Sequence, residues 1–145
     1  VGTSDTPGLM PAKKPYLLKD LQRLSRHYEI PLQIPSDFPV RTLLAMRTLC
    51  GFQGEDIPQA AHTLFNAYWV NNLDIADPEV VASLIGSEAV ERAGMQETKD
   101  ALFQSTDEAV KRGAFGAPTF FVKDEMFFGH DRLLLLESHL KGELL

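Results

Sequence analysis

The chain has 145 residues, 44% of them hydrophobic, which is enough to bury one core and is met most simply by one compact unit. A formal net charge of -6, with no basic stripe to offset it, argues against nucleic acid as a partner. No apolar run approaches the roughly 20 residues of a membrane helix, and the single cysteine, Cys50, excludes an internal disulfide or a Cys-x-x-Cys pair within these residues and suggests a reducing, cytoplasmic compartment.

Val1 to Pro15 reads as a loop, because Gly2, Pro7, Gly8, Pro11 and Pro15 break any period. It resembles an internal connection more than the start of a domain. Tyr16 to Tyr28 places Leu17, Leu18, Leu21, Leu24 and Tyr28 on one helical face. Residues 30–35 are extended, since Pro31 and Pro35 leave no room for a helix. Thr42 to Cys50 is a helix stopped by Gly51, and Ile57 to Val70 is another with Pro58 in its first turn. Asp77-Pro78-Glu79 is a helix start composed of a cap, a proline and an acid near the positive helix end. That helix carries Val80, Val81, Leu84 and Ile85, and a further one runs from Ser87 to Ala93 before Gly94. Thr98 to Phe103 predicts a short helix. Ser105 and Glu108 have the spacing of a capping box and predict a new helix start, closed later by Gly113. Thr119 to Val122 is β-branched and aromatic, Lys123-Asp124-Glu125 is a polar break, and Met126-Phe127-Phe128 is the returning strand. Pro118 stands at the first residue of that hairpin, where a sheet accepts proline. Gly129 ends it, and Asp131 is placed to cap a helix over Leu133–Leu136.

A loop, a proline entering an antiparallel hairpin and a last helix resemble the second half of a thioredoxin fold. The string G-A-F-G-A-P-T-F-F-V followed by F-F-G-H-D-R-L is more specific. With G-L-M-P-A-K, F-P-V-R-T-L-L-A-M-R and A-Y-W-V-N-N-L-D-I-A-D-P-E-V, it resembles the 2-hydroxychromene-2-carboxylate isomerases and the kappa-class glutathione transferases, over nearly the whole chain. The resemblance implies an α/β, thioredoxin-like fold with a large all-α insertion. Residues 1–104 would be the helical insertion domain with its leading loop, and 105–145 the C-terminal half of the thioredoxin-like domain. The family's N-terminal βαβ portion, with a serine set against the glutathione thiol, is expected before Val1. No catalytic residue is therefore expected in this chain, which alone would be inactive. A hairpin by itself is also marginal, and its edges would lie open.

The implied cofactor is glutathione. The Ala117–Pro118 bond, cis in the family, would leave the Ala117 backbone to pair with an extended peptide, against the alternative of an ordinary trans loop proline. His130 and Asp131 would take the γ-glutamyl end, against the alternative of a plain N-cap. Lys13, Trp69 and Asn71 would meet an aromatic small-molecule substrate, although lysine is more often simply solvated and Tyr68 beside them is more simply core. His27, His62, His139 and Cys50 lack metal-ligand spacing, so no metal is expected. The function implied is a glutathione-dependent isomerase of aromatic-compound degradation, soluble, off the membrane and homodimeric. A kappa-class transferase, a DsbA-like thiol-disulfide oxidoreductase with its cysteines outside these residues, and a non-catalytic truncated module remain open.

Overall fold

The computed structural model describes residues 13–143. They form two compact units, one running to Lys99 and the other beginning at Asp100. The leading loop lies outside the described residues except at its end, where α1 (Lys14–His27) has already begun with Pro15 in its first turn. Proline fits there because its missing N–H would have had no helical partner. The helices that follow are α2 (Leu43–Cys50), α3 (Asp56–Trp69), α4 (Pro78–Ile85), α5 (Ser87–Ala93) and α6 (Gln96–Lys111), the last carrying residues of both units.

The core of the first unit is built on Ala45, Leu64, Ala67, Tyr68, Ile75 and Val81, with Leu44, Leu49, Leu84 and Val90 packed against it. Ala60, Ala89 and Ala93 are buried as well, and such small side chains let helix backbones approach closely. Thr48 and Thr98 are the buried polar residues, and the Thr48 hydroxyl is satisfied by donating to the Ala45 carbonyl at 2.7 Å. α4 starts as its sequence demands: Asp77 is extended at φ -79, ψ 119, and its carboxylate accepts the Glu79 N–H at 2.8 Å.

Between α1 and α2 the chain is an extended strap tied to the end of α3. The Gln33 N–H donates to the Trp69 carbonyl at 2.7 Å, and the Ser36 N–H donates to Asn72 Oδ1 at 2.8 Å. Asn72 reaches it from a left-handed backbone, φ 55, which asparagine tolerates better than most residues.

The helix start expected at Ser105 is not there. α6 runs from Gln96 to Lys111 without a break, through both the Thr98–Phe103 segment and the 104/105 boundary expected between domains. A capping residue must leave the helical backbone, and nothing between Gln96 and Lys111 is a glycine or proline that would make it do so. The neighbouring Thr106 hydroxyl instead donates back to Leu102 O at 2.8 Å, the usual outlet for such a hydroxyl in mid-helix.

In the second unit, α6 ends at a glycine: Gly113 takes φ 96, and the Ala114 N–H donates to Ala109 O at 2.9 Å. A loop then enters β1 (Thr119–Val122), which pairs antiparallel with β2 (Glu125–Phe128) in a two-stranded sheet, Thr119 opposite Phe128 and Val122 opposite Glu125. A 3-10 turn (His130–Arg132) leads into α7 (Leu133–Leu140). Among the described residues the fully buried side chains all belong to the first unit; the hairpin unit contributes none.

Candidate functional site

The hairpin unit brings four of the residues singled out in the sequence to one end. The Pro118 carbonyl accepts the Gly129 N–H at 2.9 Å, extending the ladder one pair beyond Thr119 and Phe128. Ala117 and His130 are the next residues outward on either side. The Ala117–Pro118 bond is cis.

Side chains hold this end in shape. Thr119 Oγ1 donates to Gly116 O at 2.6 Å, and the Phe115 and Phe128 rings pack at 4.5 Å between centroids. A Cβ on Gly116 would sit 2.8 Å from Phe128 Cε2, so a side chain here would have to displace that ring. At the other end, Arg112 Nη2 donates to Lys123 O at 2.7 Å while its guanidinium lies 4.0 Å over the Phe121 ring. One arginine thereby ties the end of α6 to the hairpin turn, where Lys123 is left-handed at φ 54.

Asp131 does not cap the last helix. A cap must be extended, whereas Asp131 lies within the 3-10 turn, and Arg132 stands at the α7 N-cap position with no side-chain cap bond. The turn out of the strand is made by Gly129 at φ 103, ψ 150, and Asp131 folds back over it. Its Oδ2 accepts from Arg132 Nη1 at 2.8 Å, an exposed pair between neighbours. The N–H and C=O of Ala117, and the N–H groups of His130 and Asp131, make no hydrogen bond to another described residue. Such groups are what an extended peptide with an anionic end would use.

The remaining candidates lie in the first unit. Trp69 is half-buried at the end of α3, edge-on to Tyr68 at 4.9 Å and tilted against Phe38 at 5.8 Å. Trp69 and Phe38 line two apolar cavities. One, of about 230 Å³, lies between α2 and α3 against Ala45, Leu49, Leu64 and Tyr68. The other, of about 170 Å³, lies against α1 at Lys14, Leu17, Leu18 and Leu21. Lys13 and Asn71 are exposed, and neither lines these cavities. The lysine at a cavity wall is Lys14, a residue the motif drew attention past.

Tyr68 is buried, yet its hydroxyl is satisfied: it donates to Asp37 O at 3.0 Å and accepts from the Val40 N–H at 3.3 Å. Burial raises its pKa above the ordinary phenol value. The Val40 hydrogen bond opposes that rise, and the Asp37 and Asp74 charges add to it. The roles of Phe38 and the tyrosine hydroxyl depend on contacts across the fold, and the only local sign of them is Pro35 and Pro39, which keep the strap from becoming a helix.

Comparison with known proteins extends this picture. A family described as the DSBA-like thioredoxin domain matches residues 1–141. Human glutathione S-transferase kappa 1 is 34% identical over 158 residues, covering 94% of this chain and 70% of its own. The 2-hydroxychromene-2-carboxylate isomerase of Pseudomonas sp. strain C18 is 34% identical over 139 residues, covering 90% of this chain and 64% of its own. A solved 2-hydroxychromene-2-carboxylate isomerase superposes with a TM-score of 0.79 at 28% identity, over 90% of this chain and 67% of that one. The chain thus spans about two thirds of the length of these relatives.

Proposed function

We propose, on the premise that the chain belongs to the DSBA-like thioredoxin-domain family, that it serves a glutathione-dependent isomerase of the 2-hydroxychromene-2-carboxylate type. Its architecture is that of the family, a thioredoxin-like α/β fold enlarged by helices, and its relatives are enzymes by name. The activity proposed is that of the whole protein, since the chain spans 64% of the Pseudomonas isomerase and 70% of the human transferase.

The observation that carries the reading is the closure of Pro118 onto Gly129. It sets the free backbone groups of Ala117 and those of His130 and Asp131 at one end of one hairpin. In this reading Ala117 and Pro118 hold the extended backbone of glutathione. The N–H groups of His130 and Asp131 take its γ-glutamyl carboxylate, and the Asp131 carboxylate accepts from its ammonium. The chemistry supplied by glutathione when bound is addition of its thiol across a conjugated bond, rotation about that bond, and departure of the same thiol. Trp69 offers an aromatic wall to the substrate, with Lys13 and Asn71 as its polar contacts, Lys13 for the carboxylate. A homodimer and a cytoplasmic setting belong to the same reading; they rest on the resemblance and on the lone Cys50.

The test is isomerisation of 2-hydroxychromene-2-carboxylate by the whole protein, with and without glutathione. Activity should require glutathione and fall about tenfold or more in Asp131→Ala, the loss of a charge-assisted contact. Conjugation of an electrophilic aryl halide without isomerisation would favour the kappa-transferase reading, to which the human relative is an equal guide. Insulin reduction by the whole protein that persists in Cys50→Ser would favour a thiol-disulfide oxidoreductase with its cysteines outside these residues.

A further inference from the structure

The first unit contains an arginine-lined cleft that neither the glutathione reading nor the resemblance uses. It has a volume of about 310 Å³ and lies between the start of α2 and the end of α5. Its walls are Arg41, Leu43, Leu44, Arg47, Val90 and Ala93, and Ala76 and Gly94 complete it. No carboxylate among the described residues lines it, although the chain as a whole carries a net charge of -6.

Both guanidinium groups are idle. Neither Arg41 nor Arg47 forms an ion pair or a side-chain hydrogen bond with another described residue. Four of the other five arginines do find such partners, Arg26 being the exception: Arg23 pairs with Asp20, Arg92 with Glu88, Arg112 with Glu108 and Arg132 with Asp131. The Nε of Arg47 is buried without an acceptor, as is that of Arg92, and is closed to solvent, so only the terminal guanidinium nitrogens can meet an anion in the cleft. The cleft opens at the first turn of α2, where the N–H groups of Leu43 and Leu44 precede the first helical hydrogen bond, Met46 N–H to Thr42 O. Two arginines and a positive helix end therefore line a space to which no described residue brings a negative group.

We propose that this cleft is an oxyanion-binding site, in which Arg41 and Arg47 together grip the carboxylate or phosphate group of a small anion. Arg47 supplies the half-buried arm of the clamp and Arg41 the exposed one, and planar guanidinium groups suit either oxyanion. The cleft volume is at the lower end of the range for small-molecule sites, about 300–1,000 Å³, so the ligand is a small one.

Inorganic phosphate and benzoate are titrated separately against the protein at about 0.15 M salt, where loose surface pairing is screened. The signals followed are the arginine Nε–H resonances in an NMR spectrum. Saturable shifts of the Arg47 resonance by either anion are expected; phosphate alone would mark a phosphoryl ligand, benzoate alone an organic carboxylate. Arg41→Gln, at an exposed residue without side-chain partners, should weaken binding by about tenfold or more, while Arg26→Gln on α1 leaves it unchanged. If neither anion saturates, or if Arg41→Gln and Arg26→Gln bind as the parent does, the site does not exist.

Discussion

Asp131 Oδ1 lies 2.5 Å from where a Cβ on Gly129 would stand, so the carboxylate occupies the space that only glycine leaves open. The two residues are locked in a second way. Gly129 sits at φ 103, ψ 150, a conformation that side chains exclude almost entirely. The geometry of the hairpin exit, and with it the placement of the His130 and Asp131 N–H groups, depends on that pair.

Gly129→Ala is therefore expected to destabilise the protein by about 1–3 kcal/mol from backbone strain, with a further contribution from displacing Asp131. Urea unfolding of Gly129→Ala, Asp131→Ala and the double variant separates the two causes. The double variant should recover the clash and keep the strain. Additive single effects would mean that the contact has no energetic weight.

Arg112 makes a comparable link between α6 and the hairpin turn. Arg112→Met removes the bond to Lys123 O and the contact with the Phe121 ring, and should cost about 1–2 kcal/mol. The Glu108 pair at 3.8 Å is exposed and contributes little. Arg112→Lys should restore only part of the loss, because an ammonium cannot stack and reach the carbonyl as a planar fork does. Full recovery in a thermal melt by lysine would show that charge alone matters.

Tyr68 gives a prediction in pH. Its folded pKa is raised above 10.0, so the folded protein holds the phenol proton more tightly than the unfolded chain does. Between the two values the folded state binds more protons, and stability falls as pH rises. The contribution is complete below pH 10 and is lost as pH climbs through the folded value. Tyr68→Phe should lose about 1–2 kcal/mol at neutral pH with its two strap hydrogen bonds, and should show a shallower decline above pH 10. Parallel unfolding curves for parent and variant above pH 10 would contradict the assignment.

What the sequence made legible were features fixed by a few adjacent residues. Asp77-Pro78-Glu79 starts a helix, Gly113 ends one, and Phe120-Phe121-Val122 makes a strand, because cap, φ and propensity are local properties. Ser105 misled because a capping box records only spacing, while the continuity of α6 depends on the absence of any breaker from Gln96 to Lys111. Asp131 misled for a related reason: the preceding Gly129 had already made the turn that a cap would make. The link from Pro118 to Gly129 could be inferred from hairpin length. The cavities beside Phe38 and Trp69 could not, since they need the strap laid against α3 across more than thirty residues of sequence. The unpartnered Nε of Arg47 was equally hidden, because pairing is a property of neighbours in space.

The central claim is that glutathione lies along Ala117 with its γ-glutamyl end at His130 and Asp131. Backbone amide NMR during a glutathione titration of the whole protein addresses it directly. Saturable shifts should concentrate on Ala117, Thr119, His130 and Asp131, with the Gly129 amide, already bonded to Pro118 O, moving less. Asp131→Ala should weaken the binding curve by about tenfold or more. Saturable binding whose shifts avoid the hairpin end, or an Asp131→Ala variant that binds as tightly as its parent, would contradict the account.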